Sequence, residues 1–439
     1  YGLPTSTTVS IVFELLGAAV AASAIKIMQT EGGAMALGEY INTGKAMMIV
    51  FGILLSIVVA FCCGAVVQFF TRLIFTFDYQ KKIRRYGSLW GGVAMATITF
   101  FILIKGAKGA SFMTPEAVHW VKNNSLLILG GIFVISAVIL QIAISLFRVN
   151  IFKPIVLVGT FALAMAFAAN DLVNFIGVPL AGLSAYKTAM AAGDPLTVTM
   201  SALSQKVQSQ TGLLLIAGII MVVTLWLSKK ARTVTETEIS LGHQEETTER
   251  FESIWLSRTI VRMVDSFFAS FASVVPHNLR KNIRGRMDPH RAGRVAFQGP
   301  KPSFDLVRAS VNLMVASAVV SFATSMKLPL STTYVTFMVA MGASFSDQAW
   351  GKETAVYRVT GVLTVIGGWF MTAFIAFTVA SIFAAIIHYF KVPGLLGIMI
   401  VAGLVIWNNL KRHKDRAKET EEAQVFNLKK INDSHMASS

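Results

Sequence analysis

The sequence predicts an all-α polytopic membrane protein whose halves are inverted repeats with discontinuous helices. Three observations carry that expectation. Charge is scarce: 14% of the 439 residues are Asp, Glu, Lys or Arg, 54% are hydrophobic and the mean hydropathy is +0.63, whereas a soluble domain is about 25% charged. Apolar runs of about 18 residues or more recur along the chain, the length that crosses a bilayer, and the short alternating segments of a β-barrel are absent. Finally, one hexapeptide is written twice. Leu3-Pro4-Thr5-Ser6-Thr7-Thr8 returns as Leu328-Pro329-Leu330-Ser331-Thr332-Thr333, and Gly17-Ala18 recurs at the matching place as Gly342-Ala343. Duplication inside a hydrophobic chain points to a transport protein built from repeats.

In chain order, the first apolar helix follows Thr7 and runs to about Met28, with Glu14 as an acid at membrane depth. Such acids are costly and mark function or a structural partner; both readings of Glu14 stand. A Gly-rich link leads to a helix over about 46–75. The basic run Arg72, Lys81, Lys82, Arg84 and Arg85 then marks the cytoplasmic side. Helices are expected over about 89–104 and 126–147. Pro154 opens the next, which reaches Asn170-Asp171-Leu172-Val173-Asn174, followed by Gly177 and Pro179, which can break a helix and free backbone carbonyls. Further helices are expected over about 212–227, 306–324, from Thr333 to Ser346, 359–389 and, after Pro393-Gly394, to about Asn409.

This divides the chain into a membrane region (1–228), a hydrophilic cytoplasmic linker (229–305), a second membrane region (306–410) and a charged tail (411–439). Within the linker, residues 251–275 mix Trp255, Phe267, Phe268 and Phe271 with Arg258, Arg262 and Asp265, which reads as an amphipathic helix on the membrane surface. No function is expected of the last six residues.

The formal net charge is +16. The basic residues cluster between apolar runs, where orientation in the membrane and anionic headgroups account for them. The basic part of the linker holds no folded nucleic-acid motif, so no nucleic-acid partner is expected. Cys62 and Cys63 are adjacent and suit neither a disulfide framework nor a zinc site. No Walker loop, His-Glu-x-x-His or nucleophile–base motif is found, so an enzyme is not expected.

Two groups of residues carry chemistry. The Ser-Thr-Thr triplets, Ser6, Thr7, Thr8 and Ser331, Thr332, Thr333, each precede a helix and offer hydroxyls beside the unpaired N–H groups of a helix start, where an anion can bind. A plain helix cap is the alternative. The second group is Asn170, Asp171 and Asn174. Spacings of three and four place them together on a helix face, and carboxylate and amide oxygens are hard ligands that suit Na⁺, or a proton on Asp171. A hydrogen-bonded patch joining helices is the alternative. With Arg72–Arg85 inside, counting crossings starts the Ser6 helix from the inner side and the Ser331 helix from the outer side, as in inverted repeats meeting at the midplane.

The two groups together resemble the inorganic phosphate transporter (PiT) family, in which each half carries a Gly-Ala-Asn-Asp-x-x-Asn segment and a Pro-x-Ser-Thr-Thr-His segment. Here Ala168-Ala169-Asn170-Asp171-Leu172-Val173-Asn174 and Pro329-Leu330-Ser331-Thr332-Thr333-Tyr334 match one pair, and Pro4-Thr5-Ser6-Thr7-Thr8-Val9 matches half of the other. Its Asn-Asp partner is expected upstream of Tyr1. Ala168 replaces the family's Gly, Val178 stands before Pro179, and Val9 and Tyr334 replace the family's His. The resemblance implies a secondary symporter of inorganic phosphate driven by Na⁺ or H⁺, without another cofactor. Ser6, Thr7, Thr8, Ser331, Thr332 and Thr333 would hold phosphate and Asn170, Asp171 and Asn174 the cation, with Na⁺ on Asp171 and Asn174. It further implies a homodimer in the cell membrane, in bacteria the inner one. Sulfate or another tetrahedral oxyanion as substrate, and a passive anion channel, are the alternatives.

Overall fold

The computed structural model describes residues 5–29, 37–77, 79–101, 114–147, 150–191, 210–227, isolated positions between 255 and 266, 276–287, 305–326, 328, 330–347 and 352–436. Among these residues the chain is helical and holds no strand. The helices are α1 (Thr7–Gln29), α2 (Leu37–Tyr40), α3 (Thr43–Phe75), α4 (Gln80–Phe101), α5 (Pro115–Asn123), α6 (Ser125–Phe147), α7 (Phe152–Ala191), α8 (Thr211–Leu227), α9 (His277–Arg286), α10 (Leu306–Ser325), α11 (Thr332–Ser346) and α12 (Lys352–Met436). Six of them, α1, α3, α6, α7, α10 and α12, contain segments long and apolar enough to cross a membrane. The exposed faces fit that environment: Leu126, Leu127, Val134, Ile135, Val138 and Ile139 of α6 all lie on the outside. A row of that kind would be a liability in water and is ordinary against lipid. The helical membrane fold expected from composition is therefore present. The amphipathic helix expected at 251–275 falls largely outside the described residues, as do Pro4 and Pro329.

Helix ends follow recognisable chemistry. Asp305 caps α10 by accepting from the N–H groups of Val307 and Arg308, and Thr114 caps α5. α3 stops where Thr76 takes φ 58°, a conformation that costs a β-branched residue about 1–2 kcal/mol. The Arg72 guanidinium donates to the Thr76 carbonyl at 3.3 Å and holds that turn. Within α12 the helix breaks at Lys391, φ 47°, two residues before Pro393. This is the interruption expected before the last apolar stretch.

The break that Gly177 and Pro179 could make is not formed. α7 runs as a single helix through Gly177 and Pro179. Proline removes the N–H that would reach the Phe175 carbonyl, but apolar helices tolerate such a residue when neighbouring groups and small adjustments meet the freed carbonyl. α4 also begins earlier than expected: its first turns absorb the basic run at 80–85.

The chain forms two compact units. The first comprises Tyr1–Val12 and Thr43–Phe374. In it α11 packs along α3, α4 along α6, and α10 along α7 and α11. The α3–α11 crossing brings backbone against backbone. A Cβ on Gly342 would strike the Phe61 carbonyl, and one on Gly64 the Val339 carbonyl. Phe75, Tyr79 and Trp90 meet Phe152 edge-on at 5.3–6.0 Å, fixing the end of α3 against α4 and the start of α7.

Because the obstructing atoms at Gly342 belong to a backbone, a Gly342→Val protein is expected to lose about 2–3 kcal/mol through overpacking. A thermal midpoint equal to that of the unchanged protein in the same detergent would refute this contact.

The second unit comprises Phe13–Asn42 and Ile375–Ser439. There α1 meets α12 at Gly17, whose Cβ would strike the Phe377 carbonyl. Ser381 Oγ stands 2.9 Å from the Gly17 carbonyl and 2.8 Å from that of Phe377. Gln29 and His388 form a further side-chain contact at 3.1 Å.

Candidate anion and cation site

Both Ser-Thr-Thr triplets fold alike. Ser6 Oγ accepts from the Val9 N–H at 3.2 Å, and Ser331 Oγ accepts from the Tyr334 N–H at 3.1 Å. The next backbone bonds match too, Ser10 N–H to the Ser6 carbonyl and Val335 N–H to the Ser331 carbonyl. Each serine is therefore a buried N-cap that satisfies the third amide of its helix. This arrangement leaves the first two amides, at Thr7 and Thr8 or at Thr332 and Thr333, facing outward from the helix start. The residues standing where the resemblance expects His, Val9 and Tyr334, supply those third amides and are buried. The Tyr334 ring stacks on Trp369 at 3.6 Å.

The two helix starts converge on α7. Thr7 Oγ1 lies 3.4 Å from Asp171 Oδ1, and Thr332 Oγ1 lies 3.4 Å from both carboxylate oxygens. Asn170 Nδ2 donates to Asp171 Oδ1 at 3.2 Å and to Thr8 Oγ1 at 3.3 Å. Asn174 Nδ2 donates to the same hydroxyl at 2.7 Å. The chain thus brings together Thr7, Thr8, Asn170, Asp171, Asn174 and Thr332, with Ser6 and Ser331 behind them as caps. The i, i+4 spacing places both asparagines on Thr8, as the helical period requires.

Two of the expected residues are less engaged. Thr333 is half-buried and its carbonyl accepts from the Thr336 hydroxyl. Glu14 lies two helical turns beyond Thr7 and is exposed.

Among the described residues, Asp171 is the one ionisable group in this network of hydroxyls and amides, and none of its hydrogen-bond partners there is a cationic side chain. Among the described residues no group of three or more His, Cys, Asp and Glu side chains is gathered as a metal site.

A second polar cluster escaped the sequence reading. Asp347, which ends α11, accepts from Gln68 Nε2, from Arg72 and from Arg308 at 2.6–3.0 Å. Arg72 also donates to Asp305 at 2.8 Å. From sequence, Arg72 and Asp347 are loop charges, since both stand at the edge of an apolar run. In sequence terms the pointer was Asp305 with Arg308, a cap and a cation at the start of an otherwise apolar helix.

Helices of membrane-crossing length gathered around a carboxylate and two hydroxyl-bearing helix starts define a multi-pass membrane protein with a polar site among its helices. The model of the Phosphate transporter family matches residues 1–237, more than half of the chain, and the chain belongs to that family. Its class of function is phosphate transport. The matched stretch contains Ser6, Thr7 and Thr8 together with Asn170, Asp171 and Asn174; Ser331–Thr333 lies beyond it. No curated protein and no solved structure matches the chain.

Proposed function

We propose that the chain is a symporter that carries inorganic phosphate together with Na⁺, or with H⁺ in its place, and that Asp171 is where the two cargoes meet. The supporting observation is that one carboxylate faces hydroxyls from both Ser-Thr-Thr triplets. Phosphate carries one to two negative charges near neutral pH and cannot enter a poorly solvated site beside a bare carboxylate. Among the described residues no Arg or Lys meets the carboxylate, so in this reading a co-bound cation offsets the charge. Each cargo then favours the other's binding, which is coupling in the thermodynamic sense.

The donors suit a cation: a carboxylate with threonine hydroxyls 3.4 Å away on two sides is a set of hard oxygen ligands. Phosphate would then be held by the outward amides and hydroxyls of the two helix starts, with Ser6 and Ser331 contributing only their hydroxyl protons. Partial positive charge at both starts adds to the attraction. The inverted-repeat relation, the cytoplasmic placement of 229–305, the homodimer and a bacterial inner-membrane location belong to this same reading. The equal spacing from Ser6 to Gly17 and from Ser331 to Gly342 supports the repeat.

The test is uptake of labelled phosphate into liposomes containing the protein, with and without an inward Na⁺ gradient at fixed pH, and with excess sulfate as competitor. Uptake should saturate, follow the Na⁺ gradient and resist sulfate. Thr332→Ala removes one hydrogen bond to a charged cargo, about 1.5–3 kcal/mol, so the phosphate KM should rise about tenfold to a hundredfold. Unchanged KM would remove Thr332 from the site, and current without saturable uptake would mark a channel.

A further inference from the structure

We propose that Asp347 is a positioning residue for the Thr332 half of the site, although it lies at the other end of α11. The proposal rests on the reading of Thr332 given above. α11 has 15 residues, about 22 Å at the helical rise, so Asp347 is far too distant to touch a cargo beside Thr332. It acts through the helix.

Consider what holds the α10–α11 hairpin. Its tip carries Ser331 and Thr332. Its open end is tied to α3 by a cluster of two cations and two anions. Asp347 receives one bond from Gln68, two from Arg72 and two from Arg308. Asp305 caps α10 with one oxygen and receives Arg72 on the other. The cluster balances two cations against two anions and is largely buried: the side chains of Arg72 and Asp347 are 0% exposed, Arg308 6% and Asp305 14%. A buried ion cluster adds little net stability over apolar residues of equal size, and its best-attested use is to fix one arrangement. Here it fixes the register of α10 and α11 against the last turns of α3. Between cluster and site, Gly64 and Gly342 put α3 and α11 in backbone contact, so a shift at one end has little side-chain slack in which to dissipate. The Thr332 hydroxyl must meet the Asp171 carboxylate, and displacement by a fraction of a helical rise would spoil that approach.

The variant Asp347→Asn with Arg308→Gln removes the anchoring charges in a balanced pair, leaving Arg72 with Asp305. In liposomes its phosphate KM is expected to rise about tenfold, equivalent to one well-placed charged hydrogen bond, while Vmax stays within about threefold and the thermal midpoint within a few degrees. A Thr332→Ala background identifies the route: residues acting through one another are non-additive, so the paired change should add little to KM there. A folded paired variant with unchanged KM overturns the proposal, and so does a fully additive effect. Gln68→Leu removes one bond to Asp347 without changing charge and should raise KM about twofold to fivefold, a fraction of one hydrogen bond. If the paired variant fails to fold and Gln68→Leu has an unchanged KM, the proposal also falls. Thr332→Ala alone separates the two readings. If it leaves KM unchanged, the site assignment fails whatever Asp347 does; if it raises KM while the Asp347 variants do not, only the positioning role fails.

Discussion

Asp171→Asn is expected to lower Na⁺-driven phosphate uptake by at least about a hundredfold while the protein still folds and inserts. The substitution is nearly isosteric, and its amide can still meet Thr7, Thr332 and Asn170, so the helix starts keep their approach to α7. What disappears is the one negative charge in a neutral shell. A cation in a poorly solvated site then has only dipoles to hold it. Removing one member of a buried charge pair costs about 3–5 kcal/mol, which corresponds to about two to three and a half decades in binding. Phosphate binding should fall too, because in the proposed coupling it depends on a co-bound cation. The predicted signature is joint: Na⁺ binding at equilibrium and Na⁺-dependent uptake fall together, and the remaining uptake no longer responds to the Na⁺ gradient. If H⁺ is the coupling ion, the loss appears as uptake that no longer responds to a pH gradient. Uptake with an unaltered response to both gradients would exclude Asp171 from the cation site.

The prediction depends on residues that were readable in advance, and the reason is local. A helix cap needs Ser or Thr at one position and helix behind it, so Ser6 and Ser331 announce their geometry in three letters. Asn170, Asp171 and Asn174 share a face by helical period alone. An acid in a long apolar run must meet polar partners, and a duplicated triplet offered them. The long helices were legible for the same kind of reason: an apolar run of span length has few structural outcomes in lipid.

Other features depended on contacts between segments distant in sequence. The continuity of α7 through Pro179 depends on what surrounds that turn, since proline inside a membrane helix can break it or merely free one carbonyl. Asp347 sits 275 residues from Arg72, and nothing in either neighbourhood says that they meet. Gly342 could be noticed because it recurs at the same distance from its triplet as Gly17, but not that Phe61 lies against it.

The Asp347 cluster makes a second large effect expected, on stability. Arg72→Met should destabilise the folded protein by about 3–5 kcal/mol, because it leaves two carboxylates, one of them the fully buried Asp347, with a single arginine. Arg72 has the larger share of the network: it donates to Asp347 at 2.6 and 2.9 Å and to Asp305 at 2.8 Å. It also donates to the Thr76 carbonyl that closes α3, and Phe77 lies under its guanidinium at 4.2 Å. Methionine keeps much of the stem's volume, so the loss is one of charge and hydrogen bonds rather than of packing. Adding Asp347→Asn restores charge balance, leaving one cation, Arg308, and one anion, Asp305, and should recover most of the lost thermal midpoint, since buried ionic clusters are replaceable by neutral groups at little net cost. Recovery of stability without recovery of phosphate KM would separate the two uses of the cluster, cohesion and placement of Thr332. If Arg72→Met alone melts at the temperature of the unchanged protein, the carboxylates are being met by water, and the ion cluster is not what holds α10 and α11 to the end of α3.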